Sequence, residues 1–155
     1  MNSKRLQEKV LLDYVDNYKR NKKTIILAGG CFDLFHPGHL EYLQGAKKLG
    51  DILIVGINSD NSIQSIKGQP PLFSLEERVA ILSSLECVDH LLVISELTLV
   101  QAVKTIQPHF FVKGIDYQGK VFPEQQAAKE IGTKIKLIGE RKLYSSTQLK
   151  KSYER

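Results

Sequence analysis

Five apolar runs of strand length are spaced along the chain: "TIILA" from Thr24, "ILIVGI" from Ile52, "HLLVI" from His90, "HFFVK" from His109 and "KIKLIG" from Lys134. Most are apolar throughout rather than alternating, the mark of strands buried on both faces. Between them, apolar positions recur at helical spacing over residues 38–49, 74–86, 97–106 and 124–131, the last stretch closed by Gly132. Strands that alternate with helices need crossover connections, so the pattern predicts an α/β fold with a doubly wound, five-stranded parallel sheet. Ahead of it, residues 3–22 carry Leu6, Val10, Tyr14 and Tyr18 among charged neighbours, which predicts an amphipathic helix laid on the outside of the core. The expected organisation is an N-terminal helical extension, 1–23, and one globular domain, 24–155.

Two local signals add detail. "SLEE" places Ser74 as a helix cap with Glu77 three residues on, a capping box. The polar stretch "NSDNSIQSIKGQPPLF", residues 58–73, holds Gly68, Pro70 and Pro71 and predicts a long irregular loop. It follows the second strand's carboxyl end, the side on which such sheets bind ligands.

A chain of 155 residues with 42% apolar content suits one core. No run approaches the roughly 20 apolar residues of a membrane span, and "MNSKRLQEKV" lacks a secretion signal's hydrophobic segment. A cytoplasmic protein with no membrane partner is expected. Cys31 and Cys87 are too few for a disulfide scaffold and lack zinc-site spacing, so both should be reduced thiols. The net charge of +5 is scattered in short basic pairs, which suits an anionic ligand; nucleic acid would call for a dense basic stripe with interleaved aromatics.

The chemistry gathers at "GGCFDLFHPGHLEYL", where the first strand gives way to a helix. Such a turn presents backbone N–H groups and a helix N-terminus to an anion. The dinucleotide fingerprint G-x-G-x-x-G is missing, which removes a nicotinamide oxidoreductase, and so is the P-loop pattern. His36 and His39, at i and i+3, can face one small volume kept open by Gly38. With Asp33 they make at most a partial metal site. Two imidazoles beside a phosphate-binding turn are better suited to donating hydrogen bonds to a phosphoryl group whose charge redistributes in a transition state.

"GCFDLFHPGH" resembles the G-x-F-D-x-x-H-x-G-H signature of the nucleotidyltransferase superfamily, and "YSSTQLKK" resembles its I-S-S-T-x-x-R block, with Lys150 where arginine is usual. The pieces "GGCFDLFHPGHLEYLQGAKKLGD", "INSD", "IKGQPP", "LEERVAILSSLECVD" and "VKGIDY", spread over residues 29–117, are similar to the heptose 1-phosphate adenylyltransferase domain of bacterial ADP-heptose synthase. "DYQGK" is closer to the glycerol-3-phosphate cytidylyltransferase pattern. A tRNA synthetase is excluded by size and by the lack of a K-M-S-K-S block; a non-catalytic nucleotide sensor is disfavoured by the intact histidines.

The resemblance implies a Rossmann-like nucleotidyltransferase fold and attack of a sugar phosphate, heptose 1-phosphate, on the α-phosphorus of ATP, with CTP and glycerol 3-phosphate the alternative. It implies His36, His39 and Lys67 as catalytic residues. It places Gly30, Cys31, Phe32, Gly38, Lys113, Gly114, Asp116, Ser145, Ser146, Thr147 and Lys150 at the nucleotide, and Asp33, Asp60 and Arg78 at the acceptor. Mg²⁺ is expected as a bridge between phosphates, with no protein ligand assigned. A homodimer is expected.

Overall fold

The computed structural model describes residues 4–139 and Lys151. Strands β1 (Ile25–Gly30), β2 (Ile52–Asn58), β3 (His90–Ile94), β4 (Phe110–Gly114) and β5 (Lys134–Ile138) form one sheet in the order β3-β2-β1-β4-β5. Every pairing is parallel. The helices are α1 (Glu8–Arg20), α2 (Pro37–Lys47), α3 (Asp60–Lys67), α4 (Leu75–Ser83), α5 (Val100–Ile106) and α6 (Glu124–Ile131), with a 3-10 turn at Ile115–Tyr117.

Alternate strand residues serve two cores. Leu27, Ile54 and Phe111 pack with Leu11 and Val15 of α1, Val103 and Ile106 of α5, and Ala127 of α6. Ile26, Ala28, Val55 and Val112 pack with Tyr42, Leu43 and Ala46 of α2 and with Val79 and Leu82 of α4. Both faces are covered, so the central strands have no solvent side, and their runs read as continuously apolar. The chain winds from β1 through β2 to β3 in one direction and through β4 to β5 in the other, which makes the β1–β4 junction the topological switch point.

Two expectations are corrected here. Helix α1 is laid on the core as an amphipathic helix, but the row that turns inward is not the one the spacing picked out: Leu11 and Val15 are buried, whereas Val10 and Tyr14 are 42% and 45% exposed. Both rows have helical spacing and lie on neighbouring faces, so periodicity located the helix without deciding which row turns inward. The segment before α1 is also tied in, since Leu91 N–H donates to Lys4 O and Leu6 N–H donates to Leu91 O, covering the β3 edge.

The second correction concerns residues 58–73, where an irregular loop was expected. The structure has α3 at Asp60–Lys67, capped where Ser59 Oγ accepts from Ser62 N–H and closed by Gly68 at φ 77°. Only Ser62 and Ile63 of this helix are buried, too few to register as an apolar period. Helix α4 follows the capping box as expected, with Ser74 and Glu77 exchanging side-chain and backbone hydrogen bonds.

Candidate functional site

The β1–β4 ladder runs through Ile26–Phe110 and Leu27–Phe111 and stops at Ala28–Val112. Beyond that point β1 continues to Gly30 on its β2 side, and β4 continues to Gly114 on its β5 side. The carboxyl ends of β1 and β4 therefore part, opening a crevice at the switch point. Tyr42 from α2 sits under the opening: its hydroxyl donates to Val112 O at 2.9 Å, with Gly29 O at 3.3 Å. The floor is closely filled, since a Cβ at Gly29 would fall 2.5 Å from Leu99 Cδ2 and one at Gly30 would fall 2.9 Å from the Phe32 ring. Phe32 takes the left-handed conformation, φ 50°, as the chain turns out of the sheet.

The histidines meet at the start of α2. His36 is its cap, and His36 Nδ1 accepts from Gly38 N–H at 3.1 Å. In the reciprocal half of the box, His36 N–H donates to His39 Nδ1 at 3.4 Å. The rings stack with centroids 3.8 Å apart and planes at 19°. An Nδ1 that accepts a hydrogen bond leaves the proton of a neutral imidazole on Nε2, so both rings are set as Nε2 donors. Phe32, edge-on at 66°, and Phe35, tilted at 36°, pack against His39 at 5.3 and 5.4 Å between centroids.

Asp33 and Arg78, expected at the acceptor, brace the loops around the crevice. Asp33 is 1% exposed, and its two oxygens accept from Leu72 and Phe73 N–H, each at 2.9 Å. Arg78 is fully buried. Its Nε donates to Phe73 O, its Nη1 to Cys31 O and Asn58 O, and its Nη2 to Asp60 Oδ1 at 2.7 Å. One guanidinium thus joins the turn after β1, the end of β2, the start of α3 and the turn before α4. The five-donor fork suits this work. Asp60 is the partly exposed member of this set, with 47% of its side chain accessible.

Positive charge converges on Cys31. Burial pushes its thiol up, while Lys67, Arg78 and Lys113 pull it the other way. Lys67 ends α3 and is exposed, so it stands on a helix rather than in the expected flexible loop. Lys113 Nζ lies 4.4 Å from the Tyr117 ring centroid and 4.0 Å from Glu124 Oε1. Asp116, in the 3-10 turn, folds its carboxylate over Gly114, where a Cβ would come within 2.6 Å of Oδ1. Ser145, Ser146, Thr147 and Lys150 lie outside the described residues.

The structure thus gathers Gly30, Cys31, Phe32, His36, Gly38, His39, Lys67, Lys113, Gly114 and Asp116 around one end of the sheet. Sequence reasoning missed Tyr42, Leu99 and Glu124. Tyr42 passes as one more apolar helix position, Leu99 as a core residue and Glu124 as an acidic first-turn residue, so none carries a signal of its own.

The chain matches the family model described as cytidylyltransferase-like over residues 27–154. It is 44% identical over 117 residues to the bifunctional protein HldE of Helicobacter pylori strain J99, covering 75% of this chain. It is 41% identical over 135 residues to the bifunctional protein HldE of Syntrophotalea carbinolica, covering 86%. The chain spans about a quarter of the length of these relatives, 25% and 27%. Among solved structures it is similar to the lipopolysaccharide core biosynthesis protein from Thermoplasma volcanium, with TM-score 0.66 and 30% identity over 77% of this chain and 99% of that one. Pantoate-beta-alanine ligase from Francisella tularensis shares the fold at 18% identity, with TM-score 0.64 over 97% of this chain and 76% of that one.

Proposed function

Because this chain belongs to the cytidylyltransferase-like family, we propose that it is a nucleotidyltransferase that moves AMP from ATP onto a sugar phosphate, heptose 1-phosphate, releasing pyrophosphate. The observation that carries the reading is the stacked pair His36 and His39, with both Nδ1 atoms engaged, at the helix start beside the β1–β4 crevice. The heptose acceptor is supported by the branch-specific pieces "GCFD", "IKG" and "VKGIDY", by the 36–46% identity to proteins named HldE, and by the likeness to a lipopolysaccharide core biosynthesis protein.

In this reaction a phosphate oxygen of the acceptor forms a bond to the α-phosphorus as the bond to the pyrophosphate oxygen breaks, and no covalent enzyme intermediate is needed. The chain's part is to position the reactants and answer charge. The Nε2–H groups of His36 and His39 donate to the α-phosphate oxygens, where negative charge builds at the transition state. The positive end of the α2 dipole faces the same anion. Lys67, standing free of the sheet on the last turn of α3, reaches toward the outer phosphates. Mg²⁺ is the cofactor proposed for this reaction. Carried in by the nucleotide, it would neutralise phosphate charge.

The test is pyrophosphate release with ATP, CTP, GTP or UTP against heptose 1-phosphate, glycerol 3-phosphate and phosphocholine. Turnover with ATP and heptose 1-phosphate is expected. Preference for CTP with glycerol 3-phosphate would move the protein to the branch hinted at by "DYQGK". Nucleotide binding with no turnover for any pair would favour a sensor.

A further inference from the structure

We propose that Glu124 is a positioning residue for the nucleotide site, acting through Lys113 and Leu99 without touching a substrate; the inference rests on the nucleotide-binding reading above. Glu124 opens α6 and is 2% exposed. Its Oε1 accepts from Leu99 N–H at 3.0 Å and lies 4.0 Å from Lys113 Nζ, while Oε2 is buried with no hydrogen-bond partner among the described residues. Capping Leu99 N–H needs only a neutral acceptor, so a buried acid with an unanswered oxygen calls for a further role.

The geometry supplies one. At 4.0 Å the ammonium is beyond hydrogen-bond reach of the carboxyl group, and it hangs between that group and the Tyr117 ring, 4.4 Å from the centroid. Lys113 belongs to the part of β4 that has left β1. On the other arm, the Leu99 side chain fills the space above Gly29, in the part of β1 that has left β4. One carboxyl group therefore connects the two strand ends that border the crevice, on the side away from Tyr42 and α2. Its loss should let Lys113 and the strand ends reset together, which reads out as nucleotide affinity more than as chemistry.

Glu124→Gln keeps an oxygen for Leu99 N–H and removes the acid. The experiment compares it with Lys113→Met and the double variant, measuring calorimetric Kd for an ATP analogue with a non-reactive α,β linkage, then kcat and KM, then thermal unfolding. Each single variant should weaken the analogue about tenfold, and the double should be no weaker than the worse single, because both changes break one coupled unit. The loss should fall mainly in KM. Glu124→Asp, which keeps the charge, should recover most of the affinity and serves if Glu124→Gln fails to fold. Wild-type affinity in Glu124→Gln, a double variant whose loss is the product of the singles, or a lowered Tm with affinity intact would each overturn the proposal. If the wild-type protein bound neither the ATP analogue nor its CTP counterpart, the functional reading itself would fall, and the positioning role with it.

Discussion

Ala28 and Val112 are the last residues through which β1 and β4 pair. Every other feature of the site is arranged around the gap that opens beyond them. The histidine turn leaves from the β1 side, and Lys113, Gly114 and Asp116 stand on the β4 side. A ligand lying across the gap meets the backbone of two strands whose hydrogen-bonding edges are no longer used on each other, together with the N-terminus of α2.

The observed and the proposed role of His36 can be separated by substitution. Its Nδ1 caps α2, and its Nε2 is the expected donor to the α-phosphate. His36→Asn preserves a good capping side chain, so stability should hold while kcat falls about a hundredfold, roughly 3 kcal/mol of transition-state stabilisation. His36→Ala should show the same loss of rate and a further cost of about 1 kcal/mol in stability. His39→Ala should resemble His36→Asn in rate. Urea denaturation and steady-state kinetics check this; an asparagine variant with near-wild-type kcat would leave His36 as a cap alone.

Arg78 predicts a structural phenotype. Arg78→Met removes the donors to Phe73, Cys31 and Asn58 carbonyl oxygens and to Asp60. The partly exposed Asp60 is eased by solvent, so the cost comes mainly from the stranded carbonyls, roughly 3 kcal/mol in all. The urea midpoint should drop accordingly. Arg78→Lys should rescue only part of it, because one ammonium cannot span four acceptors in a fixed fork. A variant of unchanged stability with a raised KM for the acceptor alone would restore Arg78 to substrate binding.

These cases mark where the sequence was readable. Strand positions came within one or two residues, because segments such as "ILIVGI" and "HLLVI" are apolar for both cores at once. Helix α6 came out at its observed bounds, since Gly132 at φ 78° is a stop that composition alone announces. The burial of Asp33 and Arg78 was not legible because their partners lie as far as 40 and 47 residues away in the chain, and nothing local says that a charge near a motif is buried. The His36–His39 capping box was hidden for a different reason. Histidine is not a customary cap, so the i, i+3 spacing suggested a shared ligand without suggesting that a backbone N–H would fix the tautomer of each ring.

His90 makes the fold acid-sensitive. It is half-buried, with Tyr18 Oη 2.6 Å from Nε2 and Tyr14 and Tyr18 against the ring. Burial lowers its ionisation below the ordinary histidine value, and the neighbouring Asp89, itself paired with Lys47, opposes this only in part. The folded state thus favours the neutral ring. The contribution to stability is full above the unfolded value, near pH 6.5, and is lost as pH falls below it toward the depressed folded value. The urea-midpoint advantage of wild type over His90→Gln should shrink between pH 7.5 and 5. A constant advantage across that range would mean that His90 does not titrate with folding there.

Tyr42 offers the most direct test of the crevice itself. Burial pushes its hydroxyl far above the ordinary tyrosine range, so it remains a donor at every pH at which the protein is studied. The Tyr42 side chain cross-links Gly29 O and Val112 O at the point where the β1–β4 ladder ends. Tyr42→Phe keeps the ring against Phe32, with which it now lies 6.5 Å between centroids, and strands a buried carbonyl. The stability cost should be about 1 kcal/mol. If the hydroxyl holds the strand ends at their working separation, the amides of Gly29, Gly30, Lys113 and Gly114 should exchange faster in the variant, and nucleotide Kd should rise severalfold. Unchanged exchange at those four amides with unchanged Kd would reduce Tyr42 to a buried hydrogen bond that stabilises the fold without shaping the site.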